Sequence, residues 1–197
     1  MMPRTLMQYS LRSTLGMTTV LCLLLAYLQP FGMPVIGQCG LVVVVGATLG
    51  CIVGAVCRRT ANVVFWSVIG VILGYLAVLN AYVDAWTDTY AWPLVGAIAA
   101  AAAANVRPGK PFVRAATAAM TAAGLTAAYL VSTWSLELSF SAELVCAVLG
   151  GSILGLATEV TDELEAIFHL PRSAMAVGLI GVALAGHRIA TSYITGW

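Results

Sequence analysis

Charge is what this sequence lacks. Only 9% of its residues are Asp, Glu, Lys or Arg, where a soluble domain carries roughly 25%. A water-soluble fold of 197 residues could not cover itself with so few. Intrinsic disorder is excluded as well, because it needs low hydrophobicity and high net charge. The formal net charge is +1 and no basic block occurs, so there is no electrostatic footprint for nucleic acid. Local catalytic signatures are missing too: there is no HExxH, GxSxG, Walker A or GxGxxG. The two histidines are too few for a haem or copper oxidase core. The expectation is therefore no cofactor, no metal and no enzyme activity.

Cysteine is present but unpatterned. Cys22, Cys39, Cys51, Cys57 and Cys146 all lie in or at the ends of apolar runs, without a CxxC. Such a scattered, odd set argues against a disulfide framework and against zinc. The five read as small apolar residues.

What the chain has in abundance is apolar sequence: 61% hydrophobic residues and a mean hydropathy of +0.97. A membrane span needs about 20 such residues, within a range of roughly 17–25. Seven stretches qualify: Thr14–Gln29, Val35–Cys57, Ala61–Val83, Ala91–Val106, Phe112–Thr133, Ala142–Val160 and Ser173–Thr195. The first and fourth are short, so the count falls to six if one of them fails to cross. Pro30-Phe31-Gly32-Met33-Pro34 and Pro108-Gly109-Lys110-Pro111 remove backbone donors and allow sharp turns between spans. Ser132–Ser141 alternates apolar and polar residues, and between two spans it reads as an extended interfacial segment. Arg4 and Arg12 ahead of the apolar Thr18–Leu28 imitate a signal peptide. No small-x-small cleavage site follows, so this is expected to be an uncleaved first span.

The distribution of lysine and arginine tests the count. With the N-terminus in the cytoplasm, Arg4, Arg12, Arg58, Arg59, Arg107, Lys110, Arg114 and Arg172 all fall inside. The external side receives Asp84, Asp88, Glu137 and Glu143 and no basic residue. Arg188, inside the last span, is the one remaining basic residue. The expected fold is a single polytopic domain: an all-α integral membrane bundle of about seven transmembrane helices, N-terminus in and C-terminus out, in the cell (inner) membrane. A β-barrel would need alternating segments of about ten residues. A retinal-binding rhodopsin would need a lysine in the last span, and the only lysine is Lys110.

Small residues recur at four-residue spacing: Gly46, Gly50 and Gly54, then Gly70 and Gly74, then Gly151 and Gly155. That spacing puts them on one helical face, where backbones approach closely. They serve either static packing within the bundle, contact with a second copy, or a surface along which helices slide. Gly46–Gly50 and Gly151–Gly155 also echo one another as a candidate parallel repeat.

Ionisable groups inside a span are expensive and point to function. His187 and Arg188 are the clearest, about 22 Å along the last span at 1.5 Å per residue. Together with Glu143 and Asn80 they form either a snorkelling anchor or an outer substrate or ion site. Gln38 and Asn62 read as interhelical hydrogen-bonding groups. Glu159–Leu170 reads as an amphipathic helix at the cytoplasmic interface, ended by Pro171. Its face of Glu159, Asp162, Glu163, Glu165 and His169 is expected to be solvated and suited to docking a basic partner. Three functional classes follow: a small transporter, a non-catalytic subunit or assembly factor of a membrane complex, and a holin-like pore former. The buried charges favour the first. The bilayer is the one certain partner, with homo-oligomers or a membrane complex as the others.

Overall fold

The computed structural model describes residues 11–57, 60–79, 86–132, 139–169 and 172–195. Among them there are seven α-helices and no strand: α1 (Leu11–Leu28), α2 (Met33–Cys57), α3 (Thr60–Leu79), α4 (Trp86–Asn105), α5 (Pro111–Ser132), α6 (Ser139–Phe168) and α7 (Arg172–Thr195). Met33–Val56, Pro111–Ser132 and Glu143–Phe168 are long and apolar enough to cross a membrane. Thr18–Phe31, Asn62–Leu76, Ala91–Asn105 and Ala174–Ile189 form shorter apolar helical stretches.

The turns follow the local chemistry. A 3₁₀ turn over Gln29–Phe31 leads into Gly32 at φ +92°, a conformation glycine adopts without Cβ strain. Pro34 then falls in the first turn of α2, where its missing N–H costs nothing. Gly109 sits at φ +82° between α4 and α5.

Two boundaries differ from expectation. Helix α4 starts at Trp86 rather than Ala91, and it carries Pro93 in its interior. The polar residues Thr87, Asp88 and Thr89 extend the helix by a turn instead of breaking it. The second difference is in α6. The amphipathic segment is not a separate interfacial helix, because α6 runs through it for 30 residues, about 45 Å at 1.5 Å per residue. Val160 and Thr161 include no glycine or proline, so nothing there stops the helical hydrogen bonding. The alternating Ser132–Ser141 segment lies mostly outside the described residues; Ser139–Ser141 begin α6.

Alanine organises the centre. Helix α4 touches α2, α3, α5 and α6, and Ala97, Ala99, Ala100, Ala101, Ala103 and Ala104 are all buried. A face of methyl groups lets four helices close on one. On one side Ala99 and Ala103 meet Ala118, Ala122 and Ala147 from α5 and α6. On the other, a larger apolar core gathers residues such as Leu24, Val42, Trp66, Tyr75 and Ile180 from α1, α2, α3 and α7.

The glycine stripes are consumed within the chain. A Cβ on Gly50 would lie 2.8 Å from Ser67 of α3, and one on Gly74 would meet the Trp92 carbonyl of α4 at 2.5 Å. Gly46 abuts Val71, and Gly70 packs on Gly96. A Cβ on Gly151 would stand 2.7 Å from the Ala118 carbonyl, and one on Gly155 would stand 2.5 Å from the Ala115 Cα. Gly54 is buried as well. So α2 packs on α3, α3 on α4, and α6 on α5. The echo between Gly46–Gly50 and Gly151–Gly155 does not carry a repeated unit. The α2 stripe receives the helix that follows it, and the α6 stripe receives the helix that precedes it.

Candidate functional site

The stripes lead to an ionic cluster. Along α6, Gly151, Gly155, Glu159 and Asp162 fall at intervals of four, four and three, which keeps them on one face. Along α5, Arg114, Ala118, Ala122 and Thr126 do the same, and all four are buried. Where the two helices have closed on each other, the last members of each stripe are Arg114, Glu159 and Asp162.

Arg114 Nε lies 3.0 Å from Glu159 Oε2. Arg114 Nη2 lies 2.7 Å from Asp162 Oδ2. The side chains of Arg114 and Glu159 are 1% and 3% exposed, and that of Asp162 is 13%. The guanidinium also donates to the Val106 carbonyl, at 3.3 Å from Nε and 3.0 Å from Nη2. Glu159 Oε1 accepts the backbone N–H of Gly109. The cluster therefore fastens the α4–α5 turn to the far end of α6.

One cation faces two carboxylates, so the formal charge of the cluster is −1. The neighbouring hydroxyls do not help to spread it. Thr158 donates to the Gly155 carbonyl and Thr161 to the Ala157 carbonyl, both within α6. Two buried atoms stay without a hydrogen bond, Arg114 Nη1 and Glu159 Oε2; the latter has only its ion pair. Removing water from three charges is expensive, and ion pairing recovers that cost only with full hydrogen bonding. This site is incompletely hydrogen-bonded.

The acidic face thus differs from its expected solvated form. Glu159 is turned inward and Asp162 is largely covered. Glu163 and His169 are exposed. Glu165 pairs with Arg172 at 2.8 Å, each 38% exposed, which ties the end of α6 to the start of α7. His169 adopts φ +52° and donates its N–H to the Glu165 carbonyl, so it closes the helix. Among non-glycine residues, histidine is one of the more tolerant of that left-handed conformation.

At the other end of the bundle, His187 is half-buried on α7. Its Nδ1 is hydrogen-bonded to the Tyr27 hydroxyl of α1, and the two rings meet edge to face at 5.5 Å between centroids. The imidazole also lies against the Leu76 backbone of α3. Arg188 is exposed and close enough to Tyr27 to act on it electrostatically. Glu143 is half-buried near the start of α6. Asn80 lies outside the described residues. Asn62 donates to the Ala104 carbonyl at 3.4 Å, joining α3 to α4.

Two participants were missed in the sequence. The sequence pattern presents Arg114 only as one more cytoplasmic charge and does not single out Tyr27. For Arg114 a signal did exist: it heads a small-residue stripe, and Glu159 ends another. Comparison with protein-family models, curated proteins and solved structures finds no match to the chain.

Proposed function

We propose that this chain is a small multi-pass transporter of the inner membrane. All seven helices cross the bilayer, with the N-terminus in the cytoplasm and the C-terminus outside. The observation that carries the reading is the buried Arg114–Glu159–Asp162 cluster. Ionisable residues at membrane depth that face the bundle interior mark ion and solute pathways. In the proposed topology α5 begins and α6 ends on the cytoplasmic side, so the cluster forms the inner gate. Paired, it holds the α4–α5 turn against α6. A proton or a polar solute that takes one carboxylate away from Arg114 frees that turn. The cluster's formal net negative charge favours a cationic over an anionic solute at this point. Large apolar side chains exposed around the bundle, including Leu41, Val44, Ile52, Val56, Met120 and Val182, supply the lipid-facing surface.

The test is solid-supported-membrane electrophysiology on proteoliposomes. The panel comprises amino acids, organic acids, sugars and alkali cations. A saturable current with any member, abolished in a folded Glu159→Gln protein, supports transport. Absence of current across the panel, with a stoichiometric partner found by native mass spectrometry, favours the membrane-complex subunit instead.

A further inference from the structure

The end of the bundle that holds the ionic cluster also carries cations the cluster does not use. Arg107 and Lys110 are exposed in the α4–α5 turn, and neither has an ion-pair partner among the described residues. The acids of the same end are mostly engaged: Glu159 and Asp162 with Arg114, and Glu165 with Arg172. Glu163 is the exposed acid left over. Two free cations therefore stand against one free acid. Large apolar side chains are exposed at this end as well. Phe112, two residues after Lys110, is 87% exposed, and Ile167 and Phe168 of α6 are 68% and 62% exposed. A contiguous apolar surface of this kind marks an interaction site.

The register of the two helices sets the depth of this surface. Gly151 faces Ala118 and Gly155 faces Ala115, so α5 and α6 run antiparallel. Extending that register puts the 107–110 turn level with residues 160–163 of α6. The membrane-crossing stretch of α6 begins at Glu143 and ends at Phe168. A hydrocarbon core of about 30 Å is crossed by about 20 helical residues, which from Glu143 brings the boundary near Glu163. Arg107 and Lys110 then stand at the edge of the hydrocarbon. Residues 164–168 reach about 7 Å further, through the headgroup layer.

We infer that the α4–α5 turn and the last turns of α6 form a docking surface for an anionic phospholipid. Arg107 and Lys110 take the headgroup phosphate, and Phe112, Leu164, Ile167 and Phe168 lie against the acyl boundary. Two features favour lipid over a protein partner. Ile153, Leu156, Val160, Leu164 and Ile167 follow at intervals of three and four, which is one helical face, and all are exposed. A face made for a cytoplasmic protein would begin where the bilayer stops, whereas this one crosses the boundary unbroken. The free charge also has the sign that an anionic cytoplasmic leaflet attracts. The same turn gives its Gly109 N–H to Glu159 and its Val106 carbonyl to Arg114. A headgroup here grips from outside the turn that the cluster holds from inside. The inference rests on the multi-pass reading for its place in the bilayer and does not require transport.

The experiment replaces Phe112 or Phe168 of the full chain with the photo-crosslinker p-benzoylphenylalanine and reads the products by mass. It is run in native membranes and in nanodiscs of mixed phosphatidylglycerol and phosphatidylcholine. The expected products at both positions are phospholipid adducts, with phosphatidylglycerol in excess over phosphatidylcholine. Arg107→Gln and Lys110→Gln should each lower that excess, by about fivefold if each carries the usual weight of a basic residue near an anionic surface. Both side chains are exposed and unpaired, so these variants keep the fold. Crosslinks in native membranes that run mainly to a second copy or to another protein overturn the proposal. So do adducts without an excess of phosphatidylglycerol, or an excess that neither variant changes. A silent electrophysiology panel with the expected adducts would sink the transport reading and leave the lipid surface standing; a current with protein crosslinks would do the reverse.

Discussion

Replacing Arg114 with methionine is the sharpest test of the ionic cluster. The substitution keeps the length of the side chain and removes its charge. Glu159 then stays buried with the Gly109 N–H as its one remaining donor, and Asp162 loses a partner at 2.7 Å. Breaking a buried ion pair by removing one member costs about 3–5 kcal/mol. The expected loss for Arg114→Met is in that range, because Arg114 and Glu159 are almost fully covered. Replacing all three members by hydrophobic residues of similar size should be far milder, since the same principle makes such exchanges often neutral. The triple variant Arg114→Met, Glu159→Met, Asp162→Leu should therefore recover most of the loss. Steric-trap unfolding in bicelles measures both. A loss below ~1 kcal/mol for Arg114→Met would place the site in the class of exposed pairs and refute the reasoning. A triple variant as unstable as the single one would refute it equally.

Other outcomes follow from particular contacts. Gly155→Ala should destabilise by roughly 1–3 kcal/mol, as overpacking does, because the new methyl meets backbone of α5. Gly150→Ala, which faces open space on the same helix, should be silent in the same unfolding assay. Arg172→Ala should cost ~0–1 kcal/mol, since its pair with Glu165 is 38% exposed on both sides. Alkaline phosphatase fused after Trp197 should be active and a fluorescent protein fused there dark; the reverse pattern removes the odd number of spans.

Much of the helical layout was legible in the sequence. Long apolar runs interrupted by proline, glycine and charge leave few other arrangements, and the observed helices begin and end close to those breaks. The glycine stripes were visible, but their partners were not. Four-residue spacing says that a face is flat and leaves open which helix lies on it. The acidic segment shows the same limit. A helical wheel places Glu159 and Asp162 on one side, and only tertiary packing shows that Arg114, 45 residues before Glu159, occupies that side. Pro93 was hidden for another reason: it lies inside an apolar helix packed among its neighbours, where proline need not mark a boundary.

The alanine surface of α4 has a thermal consequence. Alanine has a single side-chain conformation, so ordering this helix surrenders almost no side-chain entropy. The leucine- and valine-rich periphery can soften on warming as its side chains hop between rotamers. The centre, where Ala99 and Ala103 meet Ala118, Ala122 and Ala147, has no rotamers to melt. It can yield only when a whole helix is displaced, which makes α4 the last part of this bundle to loosen gradually and the part whose failure is all at once.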